Sequence, residues 1–269
     1  MRGRAVSRTE AAKLLWRHRC DGTLIDALPR DLRPDDHAQG HAIQAELPVV
    51  AGQRVVGWKI AATSTAGQAH INVSGPLAGR ILSSFVVEPG AALSLAGNRM
   101  RVAEPEFAFR IGSTLAPRAS PYSVDEVLAA VASLHPAFEL PDSRFADFTR
   151  AGEAQLIADD ACCGHFVFGA TAPDAWRDLD LAAHRVQGVV RAADGSTRLA
   201  RDGTGSAALG DPRIALAWLV NELSSLGIAL EAGQFVSTGT CMQPLAIAPG
   251  DRVDADFGVL GSLSIRLAS

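Results

Sequence analysis

The sequence predicts an α+β fold in which helices flank a mainly antiparallel, rolled β-sheet core. Helical patterns occur within residues 1–50, and from Arg54 onward the pattern changes to short β-type runs separated by Gly, Pro and Ser. No internal repeat or low-complexity tract interrupts this second part. We therefore expect a helical N-terminal portion over residues 1–50 and a larger domain over residues 51–269.

Helix-start signals define the elements of the N-terminal portion. Ser7 and Glu10 have the spacing of a capping box and precede an apolar stripe of helical period, which predicts a first helix. A second helical pattern begins at Pro34 and continues to the next proline, Pro48. Both helices should therefore lie within the first 50 residues.

Further helices are predicted inside the larger domain. Ser123 and Glu126 form another capping-box pattern, and we expect this helix to run to about His135. The segment from Asp211-Pro212 to Gly227 has an acidic N-cap, a proline at the first helical position, an apolar face and a terminating glycine. It is the most completely specified helix of the chain.

The strand pattern covers most of the remaining sequence. Asp194-Gly195 lies between two β-rich arms and predicts a hairpin. The other predicted strands are apolar or alternating runs bounded by turn residues. They are RVVGWKI, EFAFRI, HFVFGA, FVSTGT, DRVDADF and LGSLSIRL.

Composition excludes several classes of function. The chain has 269 residues, 48% of them hydrophobic, which is enough to bury a sizeable core. Its net charge of -4 leaves no basic excess for nucleic acid. No apolar run reaches the roughly 20 residues that a membrane span needs, and the N-terminal sequence MRGRAVSRTEAAKLLW lacks a signal-peptide core. We expect a cytoplasmic enzyme with a small-molecule substrate.

The four cysteines do not indicate a metal or redox site. They show no CxxC spacing, and the one close pair, Cys162 and Cys163, is adjacent in sequence, where a disulfide would be strained. Reduced thiols are the simplest interpretation, and we assign them no chemistry.

Glu104 and Glu106 flank Pro105 at the start of the run EPEFAFRIG. Residues two apart in an extended strand project from the same face, with Cα atoms about 7 Å apart, so the two carboxylates converge. Pro105 fits a strand start, an edge or a bulge. The largely apolar neighbours place at least one carboxylate in poorly hydrated surroundings, where the pair repels unless a cation, a proton or an arginine lies between.

A third acid, Glu139, follows an apolar run in HPAFELPDSRF. Three carboxylates without a nearby His or Cys cluster suit a hard cation such as Mg²⁺ or Mn²⁺ and disfavour zinc. The alternative is that these acids are solvated surface groups or salt-bridge partners. Their spacing alone does not decide between the two.

Lys59 is the only charged residue in the run VVGWKIAATS, which has the pattern of a buried strand. A buried ammonium is costly unless it pairs with carboxylates, although a lysine can also lie on the core while its head reaches water. Beside three carboxylates and a divalent ion, Lys59 would balance the charge of an anionic keto acid and could move protons.

Around these acids and Lys59, the sequence resembles the 2-keto-4-pentenoate (2-hydroxypenta-2,4-dienoate) hydratase family of the fumarylacetoacetate hydrolase superfamily. The resemblance covers nearly the whole chain in register, and its specificity comes from the order and spacing of several segments. They are GWKIAATS, GPLAGRIL, VAEPEFAF, HPAFELPDSR, LIADDACCGHFVFG, LGDPRIALAWLVNEL, GIALEAGQFVSTGT and APGDRVDADFGVLGSLSIRL.

The resemblance implies a fumarylacetoacetate-hydrolase-like catalytic domain over residues 51–269 and a homo-oligomer. It also implies that Glu104, Glu106 and Glu139 are the metal ligands and that Lys59 is the catalytic lysine. A Glu in the third position, within PAFELPDSR, is typical of the hydratase and decarboxylase branch.

Leu77 departs from the family pattern. Hydratases of this family carry an acid where GPLAG has Leu77, and that acid is associated with handling water or protons. Related 4-oxalocrotonate decarboxylases tolerate an apolar residue there. A milder departure is Ala158-Asp159-Asp160-Ala161-Cys162, where family members usually have ADNAS.

Three functions therefore stay open at the level of sequence. The first is a metal-dependent hydratase that adds water to a 2-hydroxy-2,4-dienoate and produces a 4-hydroxy-2-keto acid. The second is a 2-keto acid decarboxylase of the 4-oxalocrotonate type, and the third is a non-catalytic binding protein on the same scaffold. For either enzyme we expect Leu77 and Thr238 to line the substrate site, although Thr238 equally fits a turn that ends a strand.

Overall fold

Two β-sheets and their flanking helices form the structure, a computed structural model that describes residues 7–269. The first six residues of the predicted N-terminal portion lie outside the described residues. The α-helices are α1 Arg8–Asp21, α2 His37–Gln44, α3 Leu47–Ala51, α4 Thr65–Ile71, α5 Val124–Ala129, α6 Glu153–Ala158 and α7 Pro212–Ser225. The strands are β1 Val55–Ala61, β2 Leu77–Leu82, β3 Ala92–Leu93, β4 Val102–Ile111, β5 Val131–Leu140, β6 His165–Phe168, β7 Arg185–Arg191, β8 Thr197–Thr204, β9 Phe235–Thr240, β10 Leu245–Ala246, β11 Arg252–Asp256 and β12 Ser262–Leu267.

The larger sheet has the strand order β2-β1-β9-β4-β5-β6, with β10 paired to β4, and the smaller sheet has the order β3-β12-β11-β7-β8. Among these strand pairs β1–β9 and β12–β3 are parallel, and the others are antiparallel. The predicted α+β class with a mainly antiparallel sheet is therefore confirmed.

The larger sheet is rolled. Lys59 on β1 lies 3.1 Å from Glu139 on β5, although β9 and β4 stand between their strands. In a flat sheet these strands would be about 14 Å apart at roughly 4.8 Å per spacing, so the two side chains meet across a concave face. The strands β2 and β6 form the two edges of this sheet. A short 3-10 turn at Asp160–Cys162 precedes β6 and hydrogen-bonds to β2, so it lies between the two edges.

Apolar side chains fill both faces of the rolled sheet. On the convex face Trp58, Phe107, Phe109 and Phe138 pack in one core that also contains residues of the smaller sheet and of α7. On the concave face, stacked rings of Phe168 and Phe235, with centroids 4.1 Å apart, belong to a cluster that includes Ala108 and Ala137. This filling separates Glu104, Glu106 and Glu139 at one end of the concave face from His135 and Arg110, which contact Phe235 at the other end.

The first predicted helix starts as expected, but its predicted capping mechanism is wrong. Ser7 is the N-cap and makes no side-chain capping hydrogen bond. Glu10 instead accepts a hydrogen bond from Lys13 at 2.9 Å. The exposed lysine offers Glu10 a partner one turn along the helix, so the reciprocal capping box does not form.

The second predicted helix begins later and ends earlier than expected. Asp36 caps α2 by accepting a hydrogen bond from the Gln39 backbone, so helical structure starts at His37. It stops at Gln44, and Leu47–Ala51 forms the separate helix α3. The buried amide of Gln44 bonds to the Ala78 and Ile157 carbonyls, which fixes this end of α2 against the sheet.

The helix that was expected to run from Ser123 to about His135 is much shorter in the structure, so this prediction is wrong. The capping box of Ser123 and Glu126 is present, but α5 ends at Ala129. Residues Val131–Leu140 form β5 and pair with β4 instead. Pairing along β4 outweighs local helical propensity in this segment, because the strand buries nearly all of its side chains.

The remaining predicted elements form where expected. α7 is capped by Asp211, which accepts a hydrogen bond from the Arg213 backbone, although Ile214 on its predicted apolar face is exposed. β7 and β8 form the hairpin around Asp194-Gly195. The four cysteines are unpaired, and no helix of the described part of the chain is long and apolar enough to cross a membrane. α4 and α6 were not predicted.

Candidate functional site

The three predicted acids meet on the concave face of the rolled sheet. Glu104 lies directly opposite Glu139 in the β4–β5 ladder, and Glu106 is two residues further along β4. Each carboxylate offers one oxygen that lies within 4.8 Å of the others. Pro105 separates the two β4 acids inside the strand, and the register shift against β9 lies just after it, between Glu106 and Ala108.

Burial and mutual repulsion disfavour the charged forms of these acids. Glu106 and Glu139 are 0% and 1% exposed, whereas Glu104 is partly exposed. Burial, with a smaller contribution from the Glu139 charge, raises the pKa of Glu104 to about 8. Burial and both neighbouring carboxylates raise the pKa of Glu106 well above its ordinary value. The cluster therefore needs protons or a cation.

Lys59 supplies part of the missing positive charge. Its Nζ atom lies 3.1 Å from Glu139 Oε1, and the side chain is buried. Burial lowers the pKa of Lys59, but the carboxylates of Glu139 and Glu104 together with nearby thiols outweigh it, so the net pKa is raised. The ammonium therefore stays protonated beside the three acids.

Glu106 is held in place by the end of β9. Its Oε2 atom accepts hydrogen bonds from the Ser237 hydroxyl at 2.5 Å and from the Gly239 backbone at 2.9 Å. Its Oε1 atom is buried and has no hydrogen-bond partner in the structure. One oxygen is thus anchored while the other retains free lone pairs within the cluster.

Gly239 is required at this position for two reasons. Its φ angle of +96° belongs to a region that favours glycine, and a Cβ atom there would lie 2.2 Å from Thr63 Oγ1. Sequence reasoning did not identify Ser237, and it considered the Gly239 backbone as a contact for the substrate rather than for Glu106. The available signal was the STG sequence at the end of an apolar strand.

Thr238 and Leu77 occupy different positions relative to the acids. The Thr238 hydroxyl donates to the Phe107 carbonyl at 2.8 Å and is buried in the sheet, so the structure does not bring it to the cluster. Leu77 pairs with Ala61, two residues from the pair of Lys59 and Gly79, and so lies on the same face as Lys59. Of these two predicted substrate contacts, Leu77 lies on the face that carries Lys59 and Thr238 does not.

The segment between α6 and β6 closes the site on the β2 side. Burial raises the pKa of Glu139 overall, while the Lys59 ammonium and, more weakly, a backbone hydrogen bond from Gly164 lower it. Asp160 Oδ1 accepts a hydrogen bond from the Arg80 backbone at 2.7 Å. Burial raises the pKa of Asp160 to about 7. Sequence reasoning did not assign Asp160 or Gly164 to the site, because neither position carries a local motif.

The donor set fits a divalent cation. Magnesium and manganese prefer carboxylate and other oxygen ligands, and the three acids offer them at one point. Burial, followed by the mutual repulsion of the carboxylates, raises the pKa values of Glu104 and Glu106, and the Oε1 atom of Glu106 is buried without a partner. A cation there would relieve both.

Known proteins resemble the chain along most of its length. The chain is 37% identical over 218 residues to a 2-hydroxyhexa-2,4-dienoate hydratase of Comamonas testosteroni, covering 80% of this chain and 79% of that protein. It is 36% identical over 213 residues to a 4-oxalocrotonate decarboxylase of a Pseudomonas species, covering 79% and 78%.

A solved structure is similar over nearly the whole fold. The 4-oxalocrotonate decarboxylase from Pseudomonas putida G7, complexed with magnesium and adipate, has a TM-score of 0.84 and 25% identity. The match covers 98% of this chain and 100% of that chain. The same enzyme has also been solved with calcium and acetate.

The sequence profile of the fumarylacetoacetate (FAA) hydrolase C-terminal family matches residues 72–268. These residues include β2 and the following strands, and therefore all three acids of the cluster. Together with the relatives above 30% identity, this match leads to one conclusion: the chain belongs to the fumarylacetoacetate hydrolase family.

Proposed function

We propose that the chain is a lyase, a divalent-metal-dependent hydratase that adds water to a 2-hydroxy-2,4-dienoate and produces a 4-hydroxy-2-keto acid. The observation that carries this proposal is the buried cluster of Glu104, Glu106 and Glu139 with Lys59 at its edge. The relative of 37% identity is named as a hydratase of a substrate of this class. A homo-oligomer and a cytoplasmic location, predicted from the sequence, are parts of the same proposal.

Glu104, Glu106 and Glu139 would hold Mg²⁺ or Mn²⁺. When bound, the cation would supply Lewis acidity toward the oxygen atoms of a 2-keto acid. Ser237 and Gly239 fix the orientation of Glu106, which keeps the ligand set preorganised. We assign the metal to this cluster because its donor atoms are all carboxylate oxygens.

Lys59 would hold and move the proton that converts a dienol into its keto form. Its ammonium is buried and lies 3.1 Å from Glu139, so it is fixed beside the place where an anionic substrate would bind. Proton transfer by a positioned side chain typically contributes about 10² to 10⁴ in rate. The same charge would attract the substrate carboxylate.

The apolar side chain of Leu77 favours a second candidate function, a decarboxylase of the 4-oxalocrotonate type. Its side chain is buried on the Lys59 face and can neither orient nor deprotonate water. Loss of carbon dioxide needs no added water, and an apolar wall disfavours a charged carboxylate. The decarboxylase relative of 36% identity supports this alternative.

The deciding experiment is a product assay of the purified chain saturated with Mg²⁺ or Mn²⁺. We expect conversion of 2-hydroxypenta-2,4-dienoate to the 4-hydroxy-2-keto acid, with slower release of carbon dioxide from 2-oxohex-3-enedioate. The reverse preference would favour the decarboxylase. Conversion of neither substrate would refute both enzymes and leave another chemistry of the superfamily or the binding protein.

The Leu77→Asp variant separates the same two candidates by a different measurement. If hydration is native, the added acid leaves the hydration rate similar or raises it, because another group already handles water. If decarboxylation is native, the acid repels the dianionic substrate and raises its KM. Leu199→Asp, at a partly buried position on the second sheet, controls for the effect of placing an acid on an apolar surface.

A further inference from the structure

The turn that closes the site has an unusual backbone. Asp160, Ala161 and Cys162 have φ angles of +59°, +53° and +58°, and none of them is glycine. Such conformations persist only when the surrounding structure enforces them, and they concentrate at functional sites. Here the Asp142 backbone donates to the Cys162 carbonyl at 3.1 Å, and the Asp160 carboxylate is bonded to β2.

Only one of the two carboxylate oxygens of Asp160 has a hydrogen bond that holds the turn. Oδ1 accepts the hydrogen bond from the Arg80 backbone, whereas Oδ2 is buried without a hydrogen-bond partner. The residue is 2% exposed. The Arg80 guanidinium lies over the Trp58 ring and bonds to Gln44, so it does not satisfy this oxygen.

Lys59 is a buried cation on the same face of β2 as this turn. A Cβ atom on Gly79 would lie 2.6 Å from the Asp160 carbonyl oxygen and 3.2 Å from Lys59 Cγ. The lysine stem and the Asp160 turn therefore approach each other across Gly79, with no side chain between them. The charges of Arg19 and Arg80 act on Asp160, and that of Lys59 does so more weakly.

A cation in the carboxylate cluster would change the surroundings of Lys59. The structure pairs Lys59 with Glu139, one of the three acids that would hold the metal. Once Glu139 shares its charge with a cation, the Lys59 ammonium would lose part of its counter-charge and face a positive ion. A buried charge that loses its partner is strongly disfavoured unless another anion replaces it.

We propose that Asp160 is a positioning residue that becomes the counter-ion of Lys59 when a divalent cation occupies the Glu104, Glu106 and Glu139 cluster. This inference rests on the metal site of the proposed function. In it, Asp160 keeps the Lys59 ammonium at the edge of the cluster after Glu139 turns to the metal. The exchange moves one side chain and breaks no covalent bond.

A double-mutant cycle on metal affinity tests the exchange without any substrate. Asp160→Asn keeps the size of the side chain and an oxygen for the Arg80 backbone, and asparagine tolerates the left-handed conformation. Isothermal titration with Mn²⁺ is performed on the parent, on Asp160→Asn, on Lys59→Met and on the double variant. Asp159→Asn, which alters the adjacent acid bonded to Ser143 and the Arg144 backbone, is the matched control.

We expect Asp160→Asn to weaken Mn²⁺ binding about tenfold when Lys59 is present. When Lys59 is replaced by Met, the same substitution should weaken binding by no more than about twofold. Asp159→Asn should change affinity equally in both backgrounds. Equal losses for Asp160→Asn in both backgrounds, or no loss in either, would overturn the inference. If the parent binds no Mn²⁺, or if Glu106→Gln binds it equally well, the proposed metal site itself fails.

A crystal structure of the Mn²⁺-bound parent gives an independent readout that does not depend on variant folding. Lys59 Nζ should lie within hydrogen-bond distance of Asp160 Oδ2. An ammonium that remains on Glu139 while the metal is bound would overturn the inference.

Discussion

Replacing Glu106 by Gln should stabilise the metal-free protein and at the same time remove its response to metal. Glu106 is fully buried, and one of its oxygens lies within 4.8 Å of oxygens of Glu104 and Glu139. At an effective dielectric constant of about 20, two unit charges at this distance repel by about 3.5 kcal/mol. Glutamine has the same shape and can still accept from Ser237 and Gly239.

The full repulsion is not recovered because the acids already hold protons. With the pKa of Glu104 raised to about 8 and that of Glu106 raised well above its ordinary value, part of the charge is absent at neutral pH. We therefore expect Glu106→Gln to stabilise the metal-free protein by about 2 kcal/mol, which corresponds to a Tm increase of about 4–8 °C for a chain of this size. Metal affinity should fall at least about 100-fold, since a ligand is lost.

The assay combines thermal unfolding with calorimetric titration of Mg²⁺ and Mn²⁺ after removal of metal by a chelator. The control is Glu231→Gln, which neutralises an exposed acid and should leave Tm and metal affinity unchanged. A Glu106→Gln protein that is less stable than the parent without metal, or that binds metal within about threefold of the parent, would refute this reasoning.

Three further predictions concern the same site. Lys59→Met should fold and bind metal but lose turnover at least about 100-fold, because it removes the proposed proton carrier; metal content and rate are measured on one sample, and unchanged turnover would make Lys59 structural. Ser237→Ala should weaken metal binding about tenfold by freeing Glu106, whereas Ser225→Ala, which removes an exposed hydroxyl bonded to the Glu222 carbonyl, should not. Raising the pH from about 5 to 8 should destabilise the metal-free protein, since the pKa of Glu104 is about 8 in the folded state against an ordinary value of 4.5. Between these two pKa values the folded protein holds a proton that the unfolded chain has released, so the free energy of unfolding falls as the pH rises. Saturating Mg²⁺ should remove this fall of Tm with pH in thermal melts.

The local sequence determined the elements whose signals lie within a few residues. The proline and acidic N-cap of α7 and the Asp194-Gly195 turn predict their structures because backbone geometry and adjacent hydrogen bonds favour them without distant partners. The alternation of residues in EPE likewise placed Glu104 and Glu106 on one face of a strand. The resemblance to a known family then indicated Glu139 and Lys59 as their partners.

Tertiary structure decided what depends on contacts between distant segments. Val131–Leu140 became a strand rather than the end of a helix because it pairs with β4, and this pairing also sets Glu139 opposite Glu104. Thr238 turned into the sheet while its neighbours Ser237 and Gly239 bonded to Glu106, an outcome fixed by the register of β9 against β4.

Hydrophobic periodicity and residue identity are local properties, so the amino-acid sequence alone predicts the fold class and a site of carboxylates. Only the roll of the sheet brought Lys59 of β1 to Glu139 of β5 and placed Asp160 against Gly79. The physical reason is that sheet curvature results from packing on both faces at once, and no short stretch of the chain contains that information.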